Sequence, residues 1–212
     1  MKQQYIIAGI GTEIGKTFIS SILTESLQAD YWKPIQSGAL DFTDTDTVRN
    51  LISNSKTIFH PETYRLNQPM SPHAAAAIDG IEIELSKFEI PQTDNHLIIE
   101  LAGGIMVPLN NRETNLDLIK KLNIPVILVS KNYLGSINHT LLSAEILKLS
   151  NIPVKGLIFN GEQNKYSEDF ILNYTKLDFL GRIDFEEIIN KEVVKNYAIN
   201  FRENKWHNSI FQ

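Results

Sequence analysis

Gly9-Ile10-Gly11-Thr12-Glu13-Ile14-Gly15-Lys16-Thr17 is the stretch from which the rest of this chain can be read. An apolar run, Tyr5-Ile6-Ile7-Ala8, precedes it, and Phe18-Ile19-Ser20-Ser21-Ile22-Leu23 follows as a helix. Strand, glycine-rich turn and Gly-Lys-Thr opening a helix is the context a phosphate-binding loop needs. Successive backbone N–H groups and the positive end of the helix surround phosphate oxygens, with no bulky side chains in the way. Lys16 then reaches the outer phosphates, and the Thr17 hydroxyl is placed to ligate an accompanying Mg²⁺. The usual motif has four residues between its glycines, whereas Gly9 and Gly15 enclose five.

Working outward, Tyr31-Trp32-Lys33-Pro34-Ile35 reads as a second strand stopping at Gln36-Ser37-Gly38. An acidic, hydroxyl-rich loop, Asp41 to Thr47, leads into a helix at Val48–Ile52. Ser71 and Pro72 open another helix and Gly80 closes it. Leu97-Ile98-Ile99-Glu100-Leu101 is an apolar run ending in one carboxylate, then Ala102-Gly103-Gly104, as in a buried parallel strand with a ligand at its C-terminal end. Thr114-x-x-Asp117 marks a capping box. Strands follow at Pro125–Val129, Val154–Asn160 and Phe179–Ile183, with helices at Ile137–Leu149 and near Tyr166–Tyr174. From Lys191 onward no element stands out. Alternating strands and helices predict an α/β fold: a mostly parallel sheet with helices on both faces, in one domain spanning residues 1–212.

Composition narrows the function. Hydrophobic residues at 42% and charged residues at 21% fit a soluble globular chain. A net charge of −5 offers no general attraction to nucleic acid or anionic lipid, so neither is expected as a partner. The absence of cysteine excludes disulfides, thiolate metal sites and cysteine nucleophiles. The first strand starts almost at once, leaving no room for a signal peptide, and no apolar run reaches the ~20 residues of a membrane span. A cytoplasmic protein is expected.

In such sheets, ligands gather where strands end at their C-terminal edge. Polar groups fall at five such edges: the phosphate loop, Lys33 to Ser37, Glu100 to Gly104, the Gly135–His139 turn and Asn160. Glu100 is the first candidate for Mg²⁺, because a metal–nucleotide site needs an acid on a neighbouring strand. Asp46 is a candidate second carboxylate, with Asp44 its rival. Lys33, beside the loop, can neutralise charge on a transferred phosphoryl group. The turn at Ser136-Ile137-Asn138 offers free N–H groups to an anion, as any capped helix start does.

Taken together, these segments resemble dethiobiotin synthetases. The loop with five residues between its glycines is that family's form. So are Trp32-Lys33-Pro34-Ile35-Gln36-Ser37-Gly38, Ser71-Pro72-His73, Glu100 to Gly104 and Leu134-Gly135-Ser136-Ile137-Asn138-His139-Thr140, in the family's order over residues 5–160. The resemblance implies a P-loop NTPase-like three-layer sandwich, a homodimer, and an ATP- and Mg²⁺-dependent ring closure. In that reaction 7,8-diaminononanoate takes up CO₂, or bicarbonate as its source, as a carbamate. ATP phosphorylates the carbamate and the second amine displaces phosphate, giving a cyclic urea.

By the same resemblance, Thr12, Glu13, Ile14, Gly15, Lys16, Thr17 and Phe18 bind the ATP phosphates, and catalysis rests on Lys33, Lys16 and Thr12. Thr17, Asp46 and Glu100 hold Mg²⁺; Glu100, Leu101, Ala102 and Gly103 border the nucleotide; Asn160 reads the adenine. Ser37 contacts the substrate, and Ser136, Ile137 and Asn138 hold its carboxylate across a dimer interface. Leu101 stands where the family has glycine, and Asp184 where it has proline. A nucleotide-switched ATPase of the partitioning type would carry a second lysine where Gly11 stands. A third reading, a homologue that binds nucleotide without turnover, draws on Leu101.

Overall fold

The computed structural model describes residues 2–203. In chain order the elements are β1 (Gln4–Gly9), α1 (Lys16–Leu27), β2 (Asp30–Trp32), β3 (Ile35–Ser37), α2 (Asp44–Leu51), β4 (Phe59–His60), β5 (Tyr64–Leu66) and α3 (Pro72–Asp79). There follow β6 (Leu97–Gly104), α4 (Asn115–Leu122), β7 (Val126–Lys131), α5 (Ser136–Leu149), β8 (Val154–Asn160), α6 (Lys165–Thr175), β9 (Phe179–Ile183) and α7 (Lys191–Glu203).

Seven strands form one sheet in the order β4-β2-β6-β1-β7-β8-β9, and every pairing between them is parallel. Parallel strands buried on both faces must be apolar throughout, and Ile6, Ile7, Ile98, Ile99, Ile127 and Leu128 are fully buried. From β1 the chain winds one way to β2, and from β6 the other way through β7 and β8 to β9. Right-handed crossovers therefore put helices on opposite faces: α1 packs with α2 and α7, and α5 with α6.

The structure amends the sequence reading in four places. The strand expected at Tyr31–Ile35 breaks at Lys33-Pro34, because proline has no N–H to give the ladder. Ile35–Ser37 turns away to pair with Tyr64–Leu66 in a separate two-stranded sheet. The loop expected through Thr47 already coils at Asp44, with Thr43 as N-cap. Beyond Lys191 lies α7, whose Val194, Ala198 and Phe201 are buried, with the Tyr197 ring edge-on to Phe18 at 6.1 Å. Gly80 closes α3 in the left-handed region as expected, but the Ser71 hydroxyl bonds His73 Nδ1 at 3.0 Å and caps nothing.

Candidate active site

The C-terminal ends of β1, β3 and β6 and the start of α1 enclose a cleft of about 690 Å³. Its lining includes Thr12, Glu13, Gly15, Lys16, Thr17, Lys33, Ser37, Asp44, Glu100, Ala102 and Gly103. The phosphate loop owes its shape to two glycines. A Cβ on Gly9 would meet Ile14 Cδ1 at 2.4 Å and the Gly11 carbonyl oxygen at 3.1 Å, so a side chain there would push Ile14 from its place. Gly15 has φ +91°, and a Cβ there would lie 2.1 Å from Asn160 Nδ2. That amide donates to the Ile14 carbonyl at 2.8 Å and ties the end of β8 to the loop.

At the cleft floor one carboxylate gathers three donors. Glu100, 1% exposed, accepts from Thr17 Oγ1 at 2.8 Å and Lys33 Nζ at 3.0 Å on Oε1, and from the Tyr31 hydroxyl at 3.0 Å on Oε2. Lys33 also meets Asp44 at 2.5 Å. Burial pushes the Lys33 pKa down, but Glu100 and Asp44 together outweigh burial and raise it. Lys16 donates to the Gly11 carbonyl at 2.9 Å, and burial lowers its pKa to about 8.

Asp46 is a correction. It lies outside the cleft lining, because its carboxylate serves the start of α2. It accepts from the Thr43 N–H at 3.0 Å and the Thr43 hydroxyl at 2.8 Å, while Arg49 holds its other oxygen at 2.6 Å. The Thr43 N–H and hydroxyl, then Arg49, hold its pKa below the usual carboxylate range. Asp44, one helical position in, faces the cleft instead. The signal was present: Thr43-x-x-Asp46 repeats the spacing of Thr114-x-x-Asp117, where Asp117 likewise accepts from the Thr114 N–H at 2.8 Å.

Three further expected residues turn their side chains away. Leu101 follows Glu100 on β6, so it points to the other face and fills the core at 2% exposure. Ile14 is buried beneath the loop, and Phe18 packs on α7. Only the backbone of these three is left for a ligand. Ser136, Ile137 and Asn138 open α5 and do not line the cleft; Ser136 is buried and Asn138 exposed. Sequence reasoning missed Asn115, fully buried, whose amide donates to the carbonyls of Ala102 and Gly104 at 2.7 and 2.8 Å and braces the turn after Glu100.

The residues fit a metal-bound nucleotide. A hydroxyl and two carboxylates are hard oxygen donors suited to Mg²⁺, which takes one or two carboxylates and fills its remaining positions with phosphate and water. Among the described residues no group of three His, Asp or Glu side chains forms a self-sufficient metal site. Ser37 Oγ is buried at the cleft without a hydrogen-bond partner.

A family model described as an AAA domain matches residues 3–193. The ATP-dependent dethiobiotin synthetase BioD of Cytophaga hutchinsonii is 51% identical over 97% of this chain and 99% of its own. The enzymes of the same name from Christiangramia forsetii and Chlamydia felis are 50% and 47% identical, over 96% and 93% of this chain and 98% and 93% of their own. Among solved structures, the septum site-determining protein MinD of Pyrococcus horikoshii, complexed with Mg-ADP, superposes with TM-score 0.61 at 13% identity, covering 99% of this chain and 93% of that one. A ParA family ATPase from Chlorobium tepidum gives 0.59 at 10% identity, covering 93% and 98%. Those likenesses establish the fold; identity across nearly the whole chain establishes the kinship, and the chain belongs to the dethiobiotin synthetase family.

Proposed function

We infer that this chain is a ligase of biotin biosynthesis that closes 7,8-diaminononanoate and CO₂ into dethiobiotin at the expense of ATP. The observation that carries this reading is the meeting of Lys33 with Asp44 at 2.5 Å and Glu100 at 3.0 Å beside the Thr17 hydroxyl, which assembles cation and metal-type donors next to a phosphate loop.

Bound Mg²⁺–ATP supplies the transferable phosphoryl group and the divalent charge that screens it. Thr17, Glu100 and Asp44 are the residues that would hold the metal, with Asp44 in the role first given to Asp46. Lys16 and the backbone from Thr12 to Phe18 cradle the phosphates, so that Lys16 exchanges the Gly11 carbonyl for a phosphate oxygen. Lys33 stays protonated in its bed of two carboxylates and sits where a carbamate carries its negative charge and where a phosphoryl group leaves. In the phosphoryl-transfer step the rate comes mostly from positioning and charge neutralisation. Ser37 fixes the substrate through its otherwise unpartnered hydroxyl.

The start of α5 is the proposed carboxylate site. Ser136, Ile137 and Asn138 do not line the cleft of their own chain, and we take the working form to be a homodimer in which a second copy presents them to it. Among the described residues no helix is long and apolar enough to cross a membrane, in keeping with a cytoplasmic enzyme. The partitioning-type switch shares only the fold.

The test is phosphate release from Mg·ATP and bicarbonate, with and without 7,8-diaminononanoate, with the product identified by mass. Diamine-dependent release with dethiobiotin formed is expected. Hydrolysis indifferent to the diamine would replace this reading with the switch, and ATP binding without hydrolysis would replace it with a lapsed site.

A further inference from the structure

The Glu100 carboxylate is held from three directions, and only two of its partners belong to the chemistry described above. Thr17 and Lys33 both address Oε1. The other oxygen, Oε2, accepts from the Tyr31 hydroxyl at 3.0 Å. Tyr31 is fully buried on β2, paired in register with Ile98 of β6 and Phe59 of β4, and its ring lies against that of Phe59 with centroids 6.1 Å apart. Nothing in its surroundings lets the hydroxyl reach substrate, since Tyr31 is absent from the cleft lining.

A buried tyrosine needs a partner for its O–H, but a backbone carbonyl would serve that need. Here the donor is spent on the carboxylate that faces the phosphate loop. Without it, Oε2 would be an unpaired acceptor at 1% exposure, and only the two bonds on Oε1 would resist rotation about the terminal torsion. Mg²⁺ tolerates little departure from octahedral geometry, and hydrogen bonds behind its ligands supply the necessary fixity.

We propose that Tyr31 is a positioning residue for metal–nucleotide binding, acting through Glu100: its hydroxyl locks the carboxylate so that Oε1 stays aimed at Thr17. This rests on the reading that Glu100 is a Mg²⁺ ligand. It is also compatible with Leu101 as the next residue on β6. With Glu100 anchored by three donors on one face of β6, the larger side chain behind it is taken up by the core on the other.

The experiment is calorimetric titration of ATP into the full chain, with MgCl₂ and separately with EDTA, for wild type, Tyr31→Phe and Glu100→Gln. Tyr31→Phe keeps the ring and removes only the hydroxyl. The expected result is at least about tenfold weaker binding with Mg²⁺ and unchanged binding in EDTA, in the range lost when a group behind a metal ligand is removed. A packing role would lower the unfolding temperature without separating the two titrations. Wild-type Mg²⁺ dependence in Tyr31→Phe, alongside its loss in Glu100→Gln, would overturn the positioning role while leaving Glu100 as ligand. Undiminished Mg²⁺ dependence in Glu100→Gln would overturn both.

Should Tyr31→Phe fail to fold with its stranded carboxylate oxygen, the double variant with Glu100→Gln removes that charge. It is then compared with Glu100→Gln alone. No further loss of Mg²⁺ dependence is expected, and an added loss would mean that Tyr31 acts elsewhere.

Discussion

Asn160 donates its side-chain amide to the Ile14 carbonyl across 146 residues of sequence, at 2.8 Å. The end of β8 thereby holds the phosphate loop in place from outside it. Asn160→Ala should cost about 1 kcal/mol in stability and weaken ATP binding several-fold, read by thermal unfolding and calorimetry. Asn160→Asp should be worse, since two acceptors would then face each other. Equal behaviour of the two variants would mean that the loop does not depend on this bond.

Lys33 stands between two carboxylates and matters most when charge is moving. Lys33→Ala should lower kcat by roughly a hundredfold or more and change the ATP dissociation constant little. Steady-state kinetics and direct binding, compared on one preparation, separate the two effects. An unaltered kcat would remove its catalytic role.

Asp44 and Asp46 differ by two residues and should differ sharply in effect. Asp44→Ala should weaken Mg²⁺-dependent ATP binding and turnover, since its carboxylate meets Lys33 in the cleft. Asp46→Ala should retain most turnover and lose about 1 kcal/mol of stability through the cap of α2. Kinetics and denaturant unfolding of both proteins check the assignment, and the opposite pattern would restore Asp46 to the site.

Lys16, with its pKa lowered to about 8 by burial, gives ATP binding a pH dependence. Below pH 8 the ammonium is charged and affinity is full. Above it the free protein holds a neutral amine, so binding must take up a proton and weakens toward tenfold per pH unit. Stability of the free protein runs the other way. Between about 8 and the ordinary lysine value of 10.5 the unfolded chain binds the extra proton, so stability rises with pH across that window. Titrations from pH 7 to pH 10 should show both trends.

The sheet was legible because its strands are unbroken apolar runs and its turns carry glycine or proline. What escaped has physical causes. The β2–β3 break sits at Pro34, where an apolar pattern continues although the hydrogen-bond ladder cannot. Helix α7 carries its buried face on Val194, Ala198 and Phe201, a sparse stripe amid charged residues, and becomes visible only once α1 is there to cover. At the site, Lys16, Thr17, Lys33 and Glu100 could be named as candidates from sequence because each closes an apolar run or opens a helix, although β6 runs on past Glu100 to Gly104. Asp44 and Asp46, two residues apart on one helix start, are told apart by which carboxylate the cap consumes, and the Thr43-x-x-Asp46 spacing that marks it was in the sequence but went unread. Tyr31 and Asn115 act through other residues, and sequence spacing carries no trace of that.

The position of β1 has a consequence for how the protein is made. It lies near the centre of the sheet, where Gln4 pairs with Leu97 and Ile6 with Val126. Both of its neighbours, β6 and β7, come much later in the chain, so the strand that leads into the phosphate loop is made long before anything can pair with it. At about 5–20 residues per second, it waits on the order of ten seconds for β7 to appear. Until β6 and β7 are made, Tyr5-Ile6-Ile7-Ala8 is an apolar ribbon without its native neighbours. The same central place that shelters the nucleotide site in the finished enzyme leaves this ribbon exposed during synthesis.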